Sequence, residues 1–188
     1  MTQMAPTFLV RAARPADARV MPAIEQSAGE LFRTIADLAH IADGENRDEK
    51  QYRELVAGGW CLVAEDSEGA LCGFLCAERH GAELHLCETG VRLERQRLGI
   101  GRRLIDMTVE AARYHRIGSI TLTTFRDVAW NLPFYERLGF RRLADRNLND
   151  RLRAVLRCEA AAGLHIGRRC AMRLILVPID DGAGDDVR

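Results

Sequence analysis

The hydrophobic positions change period along the chain in a definite order. "TFLVRAA" (7–13) alternates as a first strand, and "RPADARVMPAIEQSAGELFRTI" (14–35) reads as a helical region entered through Pro15 and Asp17. A second helical stretch, "RDEKQYRELVAG" (47–58), closes on Gly58 and Gly59. Three strand-like runs follow, "WCLVAED" (60–66), "LCGFLCAERH" (71–80) and "ELHLCETGV" (83–91). The short turns "SEGA" and "GA" join them, as in an antiparallel meander. Ile100, Leu104, Met107 and Ala111 then recur at helical spacing, which predicts an amphipathic helix over 99–116 that ends before Gly118.

The β-branched run "SITLTTF" (119–125) predicts a fifth strand. The short helix "NLPFYERLG" (131–139) has Asn131 as its cap, Pro133 in the first turn and Gly139 as terminator. "FRRLADR" (140–146) is a sixth strand, 148–162 a further helix, and "AMRLILVPI" (171–179) the last strand. No repeat or linker interrupts this order, so residues 1–180 are expected to form a single domain. The polar, glycine-containing residues 181–188 are expected to be a disordered tail.

Composition narrows the partners. Of 188 residues, 27 are basic and 27 acidic, so no global field draws the chain to nucleic acid or to a membrane surface, and an anion site must be local. Lys50 is the sole lysine, and in "RDEKQYRE" it reads as a solvated helix position. That removes a Walker phosphate loop and a Schiff-base lysine. The six cysteines (61, 72, 76, 87, 158 and 170) show no C-x-x-C spacing and mostly sit in apolar runs, which predicts reduced thiols packed in the core of a cytoplasmic protein. No stretch has the length of a membrane span, and no apolar run follows a basic start.

The local anion site is sought in "RLERQRLGIGRRLIDM" (92–107), where Arg92, Arg95, Arg97, Arg102 and Arg103 surround two glycines between a strand and a helix. Gln96-x-x-Gly99-x-Gly101 places glycines where the backbone must bend and a ligand can approach the bare chain. The unpaired amides of the helix's first turn face such a ligand with the positive end of the helix dipole, and phosphate suits them. A dinucleotide fingerprint would need a third glycine where Leu104 stands. A plain turn with solubilising arginines is the competing reading of this motif alone.

The segment from Trp60 to Phe140 resembles the GCN5-related N-acetyltransferase (GNAT) superfamily. Val91-x-Leu93-x-x-Gln96-Arg97-Leu98-Gly99-Ile100-Gly101-Arg102 is similar to that family's acyl-CoA signature, and "FYERLGF" (134–140) to its second block, in the family's order and separation. The resemblance implies an α/β (α+β type) fold with a mixed, mostly antiparallel six- to seven-stranded sheet flanked by helices. It implies acetyl-CoA as co-substrate, without a metal. The pyrophosphate would rest on the amides of Arg97 to Arg102, Arg97 and Arg102 would add charge, and the pantetheine arm would run along the strand ending at Val91. Leu93 replaces the family's usual proline. Val128 stands where an asparagine is common, with Asn131 three residues further on.

Amine acetylation needs a base for the acceptor and an acid for the departing thiolate. By resemblance Tyr135 is the acid. Glu88 and His85, on "ELHLCETGV", are alternative bases, with Glu88 favoured because acidic residues recur at this register in the family. In a regular strand the two point to opposite faces, and a bulge between them would bring both to one cleft. "EQSAGELFR" offers Glu25, Glu30, Phe32 and Arg33 for an acceptor pocket that Trp130 can cover. The acceptor is expected to be a small-molecule or peptide amine, with neither nucleic acid nor membrane as partner. The helix at 148–162 can shape the acceptor site or a homodimer contact. A catalytically silent acyl-CoA sensor or interaction module is the alternative reading, and a phosphate-backbone binder a second.

Overall fold

A computed structural model describes residues 8–44 and 46–176. The expected tail lies outside the described residues, as do the ends predicted for the first and last strands. The architecture is α/β, with seven mostly antiparallel strands and flanking helices. Two compact units are distinguished: the chain through Arg79 together with His85–Thr108, and His80–Leu84 together with Val109 onward.

In the first unit, β1 (Phe8–Ala12) pairs antiparallel with β2 (Cys61–Asp66), and β2 with β3 (Leu71–His80). β4 (Glu83–Val91) begins in the second unit and lies next to β3. Helix α1 (Met21–Gly29) and helix α2 (Glu49–Ala57) cover this sheet. Ala18, Met21, Ile24, Tyr52, Val56, Val63 and Phe74 form one buried cluster, in which the Tyr52 and Phe74 rings meet edge-on at 5.1 Å. Asp48 starts α2 through a capping box with Gln51, its carboxylate accepting from the Gln51 amide at 2.8 Å. The region 14–35 is not one helix. Pro15 opens a 3-10 turn (Pro15–Arg19), Pro22 restarts the chain as α1, and further 3-10 turns follow at Glu30–Thr34 and Ala36–Asp43.

Glycine carries weight at Gly90 of β4. A Cβ on Gly90 would lie 2.9 Å from Phe74 Cε1. Gly90→Val is therefore expected to destabilise the fold by about 2 kcal/mol through overpacking, lowering the urea midpoint without changing its slope. An unchanged midpoint would show that Phe74 yields freely.

In the second unit, β5 (Ser119–Phe125) pairs antiparallel along its whole length with β7 (Arg169–Ile175), and β6 is reduced to Arg141–Arg142 against Arg173 and Met172. Helix α4 (Leu132–Arg137) ends at Gly139, whose φ of 91° only glycine adopts readily. Asn131 does not cap α4 with its side chain. Its carbonyl instead takes the Phe134 amide at 2.9 Å. Helix α5 (Asp150–Ala161) is capped by Asn149, which accepts from the Leu152 amide at 2.9 Å, and buries Leu152 and Leu156. Glu83 takes ion pairs from Arg151 and Arg173, and Glu159 from Arg169, tying α5 to the strands.

All six cysteines are free thiols. Cys61, Cys72, Cys76 and Cys170 are buried, Cys87 is half-buried, and Cys158, on α5, is exposed, against the expectation for the core. No helix among the described residues is long and apolar enough to cross a membrane.

Candidate active site

The chain leaves β4 at Val91, makes a 3-10 turn (Leu93–Arg95), and enters helix α3 (Ile100–Tyr114) through Gln96–Gly99. Arg97 (φ 62°) and Gly99 (φ 85°) are both left-handed, which turns successive amides toward one side. The first intrahelical bond runs from the Arg103 amide to the Gly99 carbonyl at 2.9 Å. The amides of Ile100, Gly101 and Arg102 precede it and form the helix's first turn, whose amides have no partner within the helix. A Cβ at Gly99 would meet nothing within 4 Å, so space lies open there.

The loop is held from within. Ile100 is buried at 3% exposure, and a Cβ on Gly73 would come within 3.0 Å of Ile100 Cγ2 and 3.2 Å of the Gly90 carbonyl. Gly73 thus lets α3 seat closely on β3, a role its sequence context did not reveal. The Gln96 side-chain amide donates to the Val91 carbonyl at 3.2 Å, fastening the loop to the end of β4. The arginines divide into two sets. Arg92 Nε donates to the Leu71 carbonyl at 2.9 Å and Arg95 pairs with Asp66 at 3.0 Å, both beside a cavity of about 470 Å³ that Arg11 and Arg19 also line. Arg97, Leu98 and Arg102 are on the helix side and all three are exposed, with Arg102 making a 3.5 Å pair with Asp106.

On β4, His85 is buried at 5% exposure, while the Glu88 side chain keeps 29%. Glu88 Oε2 accepts from Arg47 Nη1 at 2.8 Å, and its Oε1 accepts from the Thr89 amide at 3.3 Å. Next to this pair lies Glu25 of α1. Its Oε2 accepts from the Tyr52 hydroxyl at 2.6 Å and from the Arg47 amide at 3.2 Å. Burial, then the charge on Glu88, push the Glu25 carboxyl up to about 7, against the hydrogen bond from Tyr52 and the charge and amide of Arg47. Burial and the two carboxylates likewise raise the Tyr52 phenol, which stays a proton donor. Sequence reasoning named Glu25 only as a pocket residue and missed Arg47 and Tyr52. Tyr52 lies four residues before Val56 on the apolar face of α2, where it reads as plain core.

The other expected acceptor residues are placed differently. Arg33 reaches Glu30 at 2.7 Å and Asp43 at 2.6 Å, so Glu30 and Arg33 spend their charges on each other and on Asp43 at the surface. Phe32 is half-buried. In the second unit Trp130 is half-buried, and Tyr135 lies between Phe134 and Phe140, with ring centroids at 5.2 and 5.7 Å.

Residues 57–142 match the family model described as an acetyltransferase (GNAT) domain. That match places a GNAT acetyltransferase domain signature in just under half of the chain. One relative, the 5-NmdU N-acetyltransferase of Pseudomonas phage PaMx11, is 28% identical over 123 residues, covering 64% of this chain and 85% of its own. The GNAT fold is shared with the PaiA N-acetyltransferase of Thermoplasma acidophilum in complex with coenzyme A (12% identity, 90% of this chain and 99% of that one, TM-score 0.68). It is shared too with the ribosomal-protein-S18-alanine N-acetyltransferase of Escherichia coli (16% identity, 97% and 99%, TM-score 0.65). The loop at 91–102 and the "FYERLGF" block both fall inside the matched GNAT segment.

Proposed function

We propose that this chain is a GNAT-family, acetyl-CoA-dependent N-acetyltransferase that moves the acetyl group directly to a primary amine of a small molecule or protein. The observation that carries the reading is the left-handed pair Arg97 and Gly99 opening α3, which gathers the amides of its first turn around open space. Those amides fit a pyrophosphate, and Arg97 and Arg102 can add charge-assisted contacts. The end of β4 at Val91 would align the pantetheine arm. Acetyl-CoA supplies the activated acyl group.

The chain's own residues then manage protons. Glu88, or His85, lies on the strand that would lead to the thioester and would accept the ammonium proton. Main-chain amides near Val91 would polarise the thioester carbonyl, and the Tyr135 hydroxyl would give its proton to the departing sulfur. Glu88 suits the base role better than His85 because its side chain is more exposed. Two relationships support an amine acceptor without choosing its size. The phage relative is a 5-NmdU N-acetyltransferase by name, and one fold neighbour is named for the alanine of ribosomal protein S18.

Calorimetric titration of the whole chain with acetyl-CoA tests the reading, followed by mass-spectrometric scoring of acetyl transfer to a panel of primary amines that includes 5-NmdU and an N-terminally alanyl peptide. Saturable binding with transfer is expected. Binding with no transfer to any amine would favour a silent acyl-CoA sensor, and absence of binding to folded protein would end the proposal.

A further inference from the structure

We propose that Glu25 is a second carboxylate of the acceptor subsite and that its Oε1 takes the proton of the incoming ammonium, with Glu88 and Arg47 serving to orient that ammonium. This rests on the acetyltransferase reading above and reassigns its proton-accepting step. The geometry divides the two acids. Both oxygens of Glu88 already accept hydrogen bonds, from Arg47 and from the Thr89 amide. Glu25 receives the Tyr52 hydroxyl and the Arg47 amide on one oxygen, Oε2, and its Oε1 meets no hydrogen-bond donor among the described residues.

Charge points to the ligand class. Glu25, Glu88 and Arg47 together carry one negative charge when both acids are ionised, matching a single ammonium. The groups facing Glu25 are Tyr52 from α2, Arg47 from the segment before α2 and Glu88 from β4. Burial and the Glu88 charge bring the Glu25 carboxyl to about 7, close to the pH at which a base both carries the right charge and accepts a proton readily.

The step balances. One N–H bond of R–NH3+ breaks and an O–H bond forms on Glu25. The freed nitrogen lone pair attacks the acetyl carbon, and the C–S bond breaks with its electron pair on sulfur. A second amine proton leaves nitrogen as sulfur gains one, and Glu25 afterwards releases its proton to water.

The experiment uses the whole chain labelled with 13C at the glutamate carboxyls, first without ligand and then with ethylammonium chloride as the probe cation. One carboxyl is expected to titrate near 7. It should vanish in Glu25→Gln and shift to lower pH in Glu88→Gln, and ethylammonium should lower its midpoint whereas tetramethylammonium, which has no N–H, should not. The side-chain amide introduced by Glu25→Gln keeps an oxygen for Tyr52 and Arg47, so the fold should survive. A Glu25 signal in the ordinary glutamate range, or one indifferent to ethylammonium, would overturn the proposal.

Stability supplies a second readout. The folded value lies above the ordinary 4.5, so the favourable contribution of neutral Glu25 is complete below about 4.5 and is lost as pH rises through about 7. The Tm of Glu25→Gln should therefore gain on that of the parent between those limits, and a constant difference would count against the assignment. In turnover with the best acceptor of the panel, Glu25→Gln should lose about 100-fold in kcat/KM near pH 7 and recover part of it at higher pH, where free amine is abundant. Failure of the parent to bind acetyl-CoA would remove the acetyltransferase reading, and this inference with it, while leaving the titration result intact. Binding with an ordinary Glu25 titration would remove this inference alone.

Discussion

Replacing Gly101 by tryptophan is expected to abolish acetyl-CoA binding while leaving the fold intact. Gly101 is the second residue of α3 and helical, a backbone conformation that a non-glycine residue also adopts. The indole would stand over the amides of the first turn, where the pyrophosphate is proposed to rest. Charge-assisted hydrogen bonds to such amides are each worth roughly 1.5–3 kcal/mol, so losing two of them raises Kd by more than about 100-fold. Calorimetry measures the affinity, and circular dichroism with a urea titration checks the fold. Unchanged affinity in a folded variant would move the phosphate site away from α3.

Tyr135→Phe should lower turnover far more than cofactor affinity. The ring contacts with Phe134 and Phe140 do not involve the hydroxyl, so the substitution keeps those contacts while removing the proton donor. General acid catalysis contributes about 100- to 10,000-fold, and kcat should fall within that range while Kd for acetyl-CoA moves less than about threefold. Parallel loss in kcat and affinity would assign Tyr135 to structure instead.

What the sequence disclosed depended on how local the cause was. The strands 71–80, 83–91 and 119–125 have the predicted bounds, because β-rich runs and glycine-containing turns act within a few residues. The loop at 91–102 was legible for the same reason. The region 14–35 was not, since Pro15 and Pro22 break it into short turns that a hydrophobic pattern joins together. β6 shrank to two residues because ladder pairing with β7 is confined to Arg141 and Arg142, and the Leu143 amide adds one further bond to the Ala171 carbonyl. The contact of Glu25 with Tyr52 spans 27 residues and depends on how α1 and α2 pack, and no spacing rule encodes it. Part of the arginine cluster misled in the same way: Arg92 and Arg95 look available to an anion until Leu71 and Asp66 are seen to hold them.

The distribution of thiols gives the protein a chemical handle of its own. Four cysteines are sealed in the core, and burial pushes the half-buried Cys87 up to about 12, leaving little thiolate to react near neutral pH. Cys158 is the one exposed thiol, standing on α5. A maleimide dye added to the unmodified chain should therefore couple at a single point, making α5 an intrinsic reporter position at which fluorescence can follow amine or partner binding without any engineered residue.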